Sequence, residues 1–281
     1  MEPRLIVKAT PREALYPFEK LSNFRDVGGL TTIDGRSLKT GVLFRSEELS
    51  RMTANDLARL RGFNLKLICD LRSPRERREK QSPATLTETI RVVNIPMLPP
   101  ANLDAGSRKL LLSFLFGSSG GDRFREFSRA CYHSIAFEQT SRIREVITLL
   151  SNEENLPALI HCSAGKDRTG FLAALIQLLA GVPYEMVMDD YLLTNDHILP
   201  RLERFIKWMR IMTLCQVSPE RIRLVAMAHP EVLDEVHTLI VKNYGSVETY
   251  LCEACKIESD TLRSLKNQLL VEPIVSARRS S

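Results

Sequence analysis

The segment HCSAGKDRTG at 161–170 constrains this chain more than any other stretch of it. Before it stands PALI, a short apolar run of buried-strand length. After it FLAALIQLLA continues as an apolar helix toward Gly181 and Pro183. A strand, a tight loop and a helix therefore follow one another without spare residues. Gly165 lets the backbone turn without a side-chain clash, so successive N–H groups can converge on one centre. A nest of that kind at a helix N-terminus binds phosphate and favours a thiolate at Cys162 over a thiol. Ser163, Ala164, Gly165, Lys166, Asp167, Arg168 and Thr169 are the residues expected to face a bound phosphate group.

The interval between Cys162 and Arg168 also occurs elsewhere in the chain. Cys69 and Arg75, and Cys215 and Arg221, have the same separation. Neither of those intervals contains glycine, each contains proline, and neither leads into a long apolar helix. Only the Cys162 interval has the setting of an anion loop. The bland reading, a buried small thiol, fits poorly with Lys166, Asp167 and Arg168 crowding the same loop.

HCSAGKDRTG resembles the signature loop of the cysteine-dependent protein tyrosine phosphatases, in the form found in bacterial tyrosine, dual-specificity and phosphoinositide phosphatases. NFRDVGGL at 23–30, LFRSEEL at 43–49, DLRSPRE at 70–76, DDYLLTN at 189–195 and YGSVETYL at 244–251 resemble that family's other segments in the same order. The likeness thus runs along almost the whole chain. It implies a phosphatase that works through a cysteinyl-phosphate and needs neither metal nor other cofactor. Cys162 would attack phosphorus, and Arg168 would offer a planar fork of donors to two phosphate oxygens. The resemblance further implies that the Thr169 hydroxyl donates to the sulfur as it leaves. His161 either orients the loop by hydrogen bonding or simply packs in the core.

The proton donor to the leaving group is open at this level. The resemblance points to the aspartate of DLR, Asp70, which ends the strand-like LKLIC and should lie on the same sheet edge as Cys162. Asp167 is an alternative, although Lys166 and Arg168 beside it should make it a weak donor. Asp104, within MLPPANLDAGSR, is a third. Asp26 and Arg45 are candidates to buttress the loop. Lys166 adds a charge that a second phosphate could use, so phosphoinositides stand beside phosphotyrosine and phosphoserine or phosphothreonine proteins as candidate substrates.

Other classes fit less well. A P-loop NTPase is excluded because Asp167 follows Lys166 and Ile160 stands where its first glycine belongs. A rhodanese-like sulfurtransferase has no use for Arg168–Thr169–Gly170 ahead of a helix. A non-catalytic phosphate-binding module would not need Cys162, Arg168 and Thr169 together.

With 281 residues, 44% of them hydrophobic, the chain can bury a full core. It reads as a single domain over 1–275 with a disordered tail at 276–281. The first residues, MEPRLIVKATPRE, lack a secretory apolar stretch, and the run at 171–182 is too short to span a bilayer. Six cysteines at irregular spacing point to reduced thiols in a cytoplasmic setting rather than to disulfides. Cys252 and Cys255 form a C-x-x-C without a second pair, and they fit the apolar face of a helix better than a metal site.

Net charge is +5, too little to imply nucleic-acid binding. Its distribution is uneven. Residues 72–80 carry five bases against two acids, and residues 201–223 six against two. The second segment lies partly on an amphipathic helix with Leu202, Phe205, Ile206 and Met209 as its expected buried stripe. A solvated face is the plain reading; attraction of an acidic substrate or contact with an anionic lipid surface is the sharper one.

The pattern along the chain predicts an α/β protein. Strand-like LIVK and VLFRS flank a hairpin across Asp34–Gly35, and Thr53 with Asp56 starts a helix that Gly62 stops. LKLIC, IRVVNIP and PALIH read as strands of a mainly parallel central sheet flanked by helices. From Gly170 onward helices dominate, with segments at 184–194, 198–213, 231–243, 246–255 and 260–270. Cys162 then falls where ligands bind in open α/β sheets, past the carboxyl end of a strand.

Overall fold

Short runs buried on both faces build the central sheet. The computed structural model describes residues 18–98, 121–214 and 216–271. In β3 (Leu43–Ser46), β4 (Leu67–Asp70) and β6 (Ala158–His161) successive side chains point to opposite faces. Leu43, Leu67, Cys69, Ala158 and Ile160 join one apolar cluster, and Phe44, Ile68 and Leu159 join the other. A sheet covered on both faces needs such unbroken apolar strands.

The sheet order is β1 (Arg25–Asp26), β3, β6, β4 and β5 (Arg91–Asn94). β3, β6, β4 and β5 run parallel, and β1 closes one edge antiparallel. The expected mainly parallel sheet is therefore present. β2 (Ser37–Leu38) follows the Asp34–Gly35 turn and pairs with β7 (Leu270–Val271) in a separate two-stranded ribbon. LIVK, Asp104 and the tail lie outside the described residues, as does Cys215.

One face of the sheet is covered by α1 (Ala54–Arg61) and α3 (Ala84–Thr87), whose Leu60 and Leu86 pack on Phe44, Ile68 and Leu159. α1 starts on the expected capping box, Thr53 with Asp56. A second capping box, Ser73 with Glu76 and Pro74 at the first position, starts α2 (Pro74–Glu79). The other face carries α4 (Gly121–His133), α5 (Thr140–Leu150) and α6 (Asp167–Leu179). α6 is buried nearly all round, from Thr169 to Gln177, which explains a sequence without a polar face.

The C-terminal part is helical, as expected, with one correction. Two helices read at 184–194 and 198–213 are a single α7 (Tyr184–Met212) with Pro200 inside it. Proline removes one backbone bond and crowds the carbonyl four residues earlier. Pro200 and Asp196 are both exposed, so the break in the ladder falls on the solvent side of the helix. α8 (Pro219–Ala226), α9 (Pro230–Tyr244), α10 (Val247–Glu253) and α11 (Ser259–Leu269) complete the fold.

Candidate active site

β6 delivers Cys162 to the carboxyl edge of the sheet, 2% exposed, and α6 begins five residues later at Asp167. Between them the loop is held by its carbonyl oxygens. Asn23 Nδ2 donates to the carbonyls of Ala164 and Gly165, both at 3.0 Å, and Arg45 Nη2 to that of Gly165 at 2.8 Å. The N–H of Glu48 takes the Ser163 carbonyl at 3.3 Å. With these oxygens tied back, the N–H groups of Ser163, Ala164, Gly165 and Lys166 have no partner among the described residues. That is the physical content of an anion nest. Gly165 sits at φ +64°, and a Cβ there would stand 2.3 Å from the Ser46 carbonyl oxygen. No other residue fits both the conformation and the space.

The ties themselves are fastened by a buried polar network. Arg25 donates to Asn23 Oδ1, to the Asp190 carbonyl at 2.9 Å and to Thr194 Oγ1 at 3.1 Å. Arg45 Nη1 lies 3.4 Å from Asp190 Oδ2, which also accepts from Gln177 Nε2 at 3.2 Å. All these residues are buried. Arg45 thus buttresses the loop as expected. Asp26 does not; its carboxylate accepts from the N–H groups of Gly28 and Gly41 and shapes a turn instead. Asp190→Ala leaves two buried guanidinium groups without their carboxylate and is expected to cost about 3–5 kcal/mol of stability. Denaturant unfolding measures it, and a loss under about 1 kcal/mol would mean the network carries little of the fold.

Arg168 is fixed by a partner that sequence reading missed. Its Nη1 and Nη2 donate to Glu76 Oε2 and Oε1 at 2.8 and 2.7 Å, and Nη1 also meets the carbonyls of Leu71 and Met97. Ser163 Oγ donates to the same Glu76 carboxylate. Burial pushes the Glu76 carboxyl up, but Arg168 and Ser163 overcome it and hold the group at about 2. The Nε–H and the outer Nη2 proton of Arg168 remain as one planar edge for two phosphate oxygens. The signal for Glu76 was its capping box, which fixes the side chain beside the loop.

Asp70 lies on the expected sheet edge, opposite His161 in register. Arg72 Nε and Nη2 bind its two oxygens at 2.9 and 2.8 Å, and the Arg72 N–H adds a third bond at 3.0 Å. Burial raises this carboxyl, but Arg72 and the neighbouring His161 win and hold it below the ordinary range. His161 is buried, with Nδ1 3.2 Å from the Cys162 carbonyl and Nε2 3.8 Å from Asp70, and burial pushes its pKa down.

Asp167 stands at the first turn of α6 with its side chain 43% exposed. Its Oδ1 accepts from the Tyr132 hydroxyl at 3.1 Å, and the Tyr132 hydroxyl lies 2.6 Å from that of Tyr191. Lys166 is held by the backbone of another element. It is 8% exposed and donates to the carbonyls of Val225 and Met227, both at 3.1 Å, at the end of α8. Thr169 Oγ1 is buried and has no hydrogen-bond partner among the described residues. Among the other thiols, burial pushes Cys69 and Cys131 up to about 12 and Cys255 to about 11. The decoy interval at Cys69 therefore holds an inert thiol in the sheet.

A cysteine on an anion nest at the sheet edge, with a guanidinium fixed beside it, defines a cysteine-dependent phosphatase. Residues 16–271 match the model of the tyrosine phosphatase family, and the chain belongs to that family. It is 29% identical over 273 residues to the triple specificity protein phosphatase PtpB of Mycobacterium tuberculosis, covering 88% of this chain and 96% of that one. A Cupriavidus necator protein is 28% identical over 247 residues, 88% of this chain and 86% of its own. A tyrosine-protein phosphatase of Nostoc commune is 30% identical over 156 residues, 55% of this chain and 48% of its own. No helix of the described residues is long and apolar enough to cross a membrane.

Proposed function

We propose that this chain hydrolyses phosphotyrosine in proteins in two steps, with Cys162 as nucleophile and Asp167 as proton donor. The supporting observation is the loop itself, whose carbonyls are tied outward while its N–H groups and one edge of Arg168 are left for a phosphate. In the first step the Cys162 Sγ–P bond forms as the P–O ester bond breaks. Asp167 passes its proton to the departing phenolic oxygen. In the second step water attacks phosphorus, Asp167 takes its proton, and the S–P bond breaks. The Thr169 hydroxyl, buried and unpartnered among the described residues, is the group to receive the departing thiolate. Arg168 binds the equatorial oxygens throughout, and Glu76 positions it.

Asp167 is assigned by what the neighbouring carboxylates are doing. Asp70 is committed to Arg72 and Glu76 to Arg168. Asp167, whose Oδ1 lies 3.7 Å from Lys166 Nζ, has the most exposed carboxyl of the three, at 43%. Phosphoserine proteins and phosphoinositides are the second reading, supported by the triple-specificity relative. For a second phosphate to use Lys166, the ammonium must first leave the Val225 and Met227 carbonyls.

A panel of phosphotyrosine peptide, phosphoserine peptide and phosphoinositide tests this reading. Turnover of the phosphotyrosine peptide is expected, with lower kcat/KM on the other two. Failure on all three, with phosphate still bound, would make the chain a phosphate-binding module.

A further inference from the structure

We propose that the end of α7 and the loop after it form a docking surface for an anionic lipid membrane. Beyond Pro200 the helix has two unlike sides. Leu202 and Ile206 are buried and pack with Val217 and Ile222 in a small cluster that fastens α7 to α8. Met209 packs partly buried against it, whereas the other large apolar side chains of this stretch have no such cover. Phe205 is 46% exposed, Trp208 53%, Met212 62%, Ile211 74% and Leu214 85%. Phe205 was expected in the buried stripe and is instead on this open side, its ring centroid 5.9 Å from that of Trp208.

At 100° per residue Phe205, Trp208 and Met212 share one stripe, with Ile211 and Arg204 at its margin and Lys207 next to them. Leu214 extends the stripe past the helix end. It holds φ +49°, an unfavourable conformation for leucine, and presents its side chain outward. Aromatic and aliphatic groups beside exposed bases are the composition of a helix that lies in a membrane interface. Trp in particular suits the headgroup level, where one part of the ring is apolar and the other wet.

Charge selects the occupant. Residues 201–223 carry six bases against Glu203 and Glu220. Arg201 is paired with Glu47 and Arg223 with Glu203, while Arg204 and Lys207 are exposed beside the apolar stripe. A second copy meeting this face by twofold symmetry would set the same basic segment against itself. An anionic bilayer is attracted by each base near its surface. The surface is also coupled to the site, because Lys166 holds the end of α8 and Asn195 brackets Ala228 from α7. Docking there would bring the phosphate loop to membrane-borne substrates.

The chain has a single tryptophan, Trp208, so its emission reports on this surface alone. The full chain is mixed with vesicles of phosphatidylcholine, with and without phosphatidylserine. A blue shift of the emission and co-sedimentation are expected with the anionic vesicles only, and high salt should reverse both. Arg204→Glu with Lys207→Glu should weaken binding at least tenfold, and Phe205→Ser with Met212→Ser should lower it similarly. Both variants should turn over a soluble aryl phosphate as before, which shows that they are folded. No shift with anionic vesicles, an equal shift with neutral ones, or unchanged binding after charge reversal would overturn the proposal. So would a concentration-dependent shift without lipid accompanied by a dimer in sedimentation velocity, which would assign the face to a second copy. Vesicle binding does not depend on Cys162, so these results stand apart from the outcome of the catalytic assays.

Discussion

Cys162→Ser is expected to lower turnover of an aryl phosphate by at least about 10⁴-fold while phosphate affinity changes less than about tenfold. The serine hydroxyl would need a base to become a nucleophile, and the nearest imidazole is not arranged to serve. His161 Nδ1 lies against the Cys162 carbonyl and Nε2 faces Asp70. Binding should survive because the groups that hold phosphate do not depend on the sulfur. The loop carbonyls stay tied to Asn23 and Arg45, and Arg168 stays on Glu76. Steady-state turnover and calorimetric titration with inorganic phosphate measure the two effects. Substantial activity in the variant would remove Cys162 from the mechanism. Loss of phosphate binding along with turnover would show that the sulfur holds the loop together.

The second large effect separates two aspartates. Asp167→Asn is expected to lower kcat by about 10²- to 10³-fold on substrates with poor leaving groups and much less on good ones. It should also flatten the basic limb of the kcat–pH profile, since that limb reports the acid losing its proton. Asp70→Asn should show neither signature. Its expected effect is on stability, because the carboxylate that receives three bonds from Arg72 is weakened. The sign of its pH dependence follows from its lowered pKa. Asp70 stabilises the fold above the ordinary aspartate range and loses that contribution as pH falls through its depressed folded value. Leaving-group sensitivity in Asp70→Asn, with none in Asp167→Asn, would return the acid to Asp70.

The loop and the strand and helix around it were legible in the sequence alone, because these are local matters. A glycine that must turn, an apolar run of strand length and an all-apolar helix are set by neighbouring residues. So was the capping box at Thr53, and the one at Ser73 was equally legible in the letters. The joining of two helices into α7 was not, since it depends on Pro200 and Asp196 both facing water.

What tertiary structure decided was the partner of each charged side chain. Glu76 meets Arg168 across 92 positions, Asn23 meets Gly165 across 142, and Lys166 reaches Val225 across 59. Asp70 stands on the strand where a proton donor was expected, and the fold closes Arg72 onto both of its oxygens. A carboxylate in water behaves much the same wherever it lies in a chain. Buried, its charge is governed by the one or two groups within hydrogen-bond reach, and which groups those are is a property of the fold.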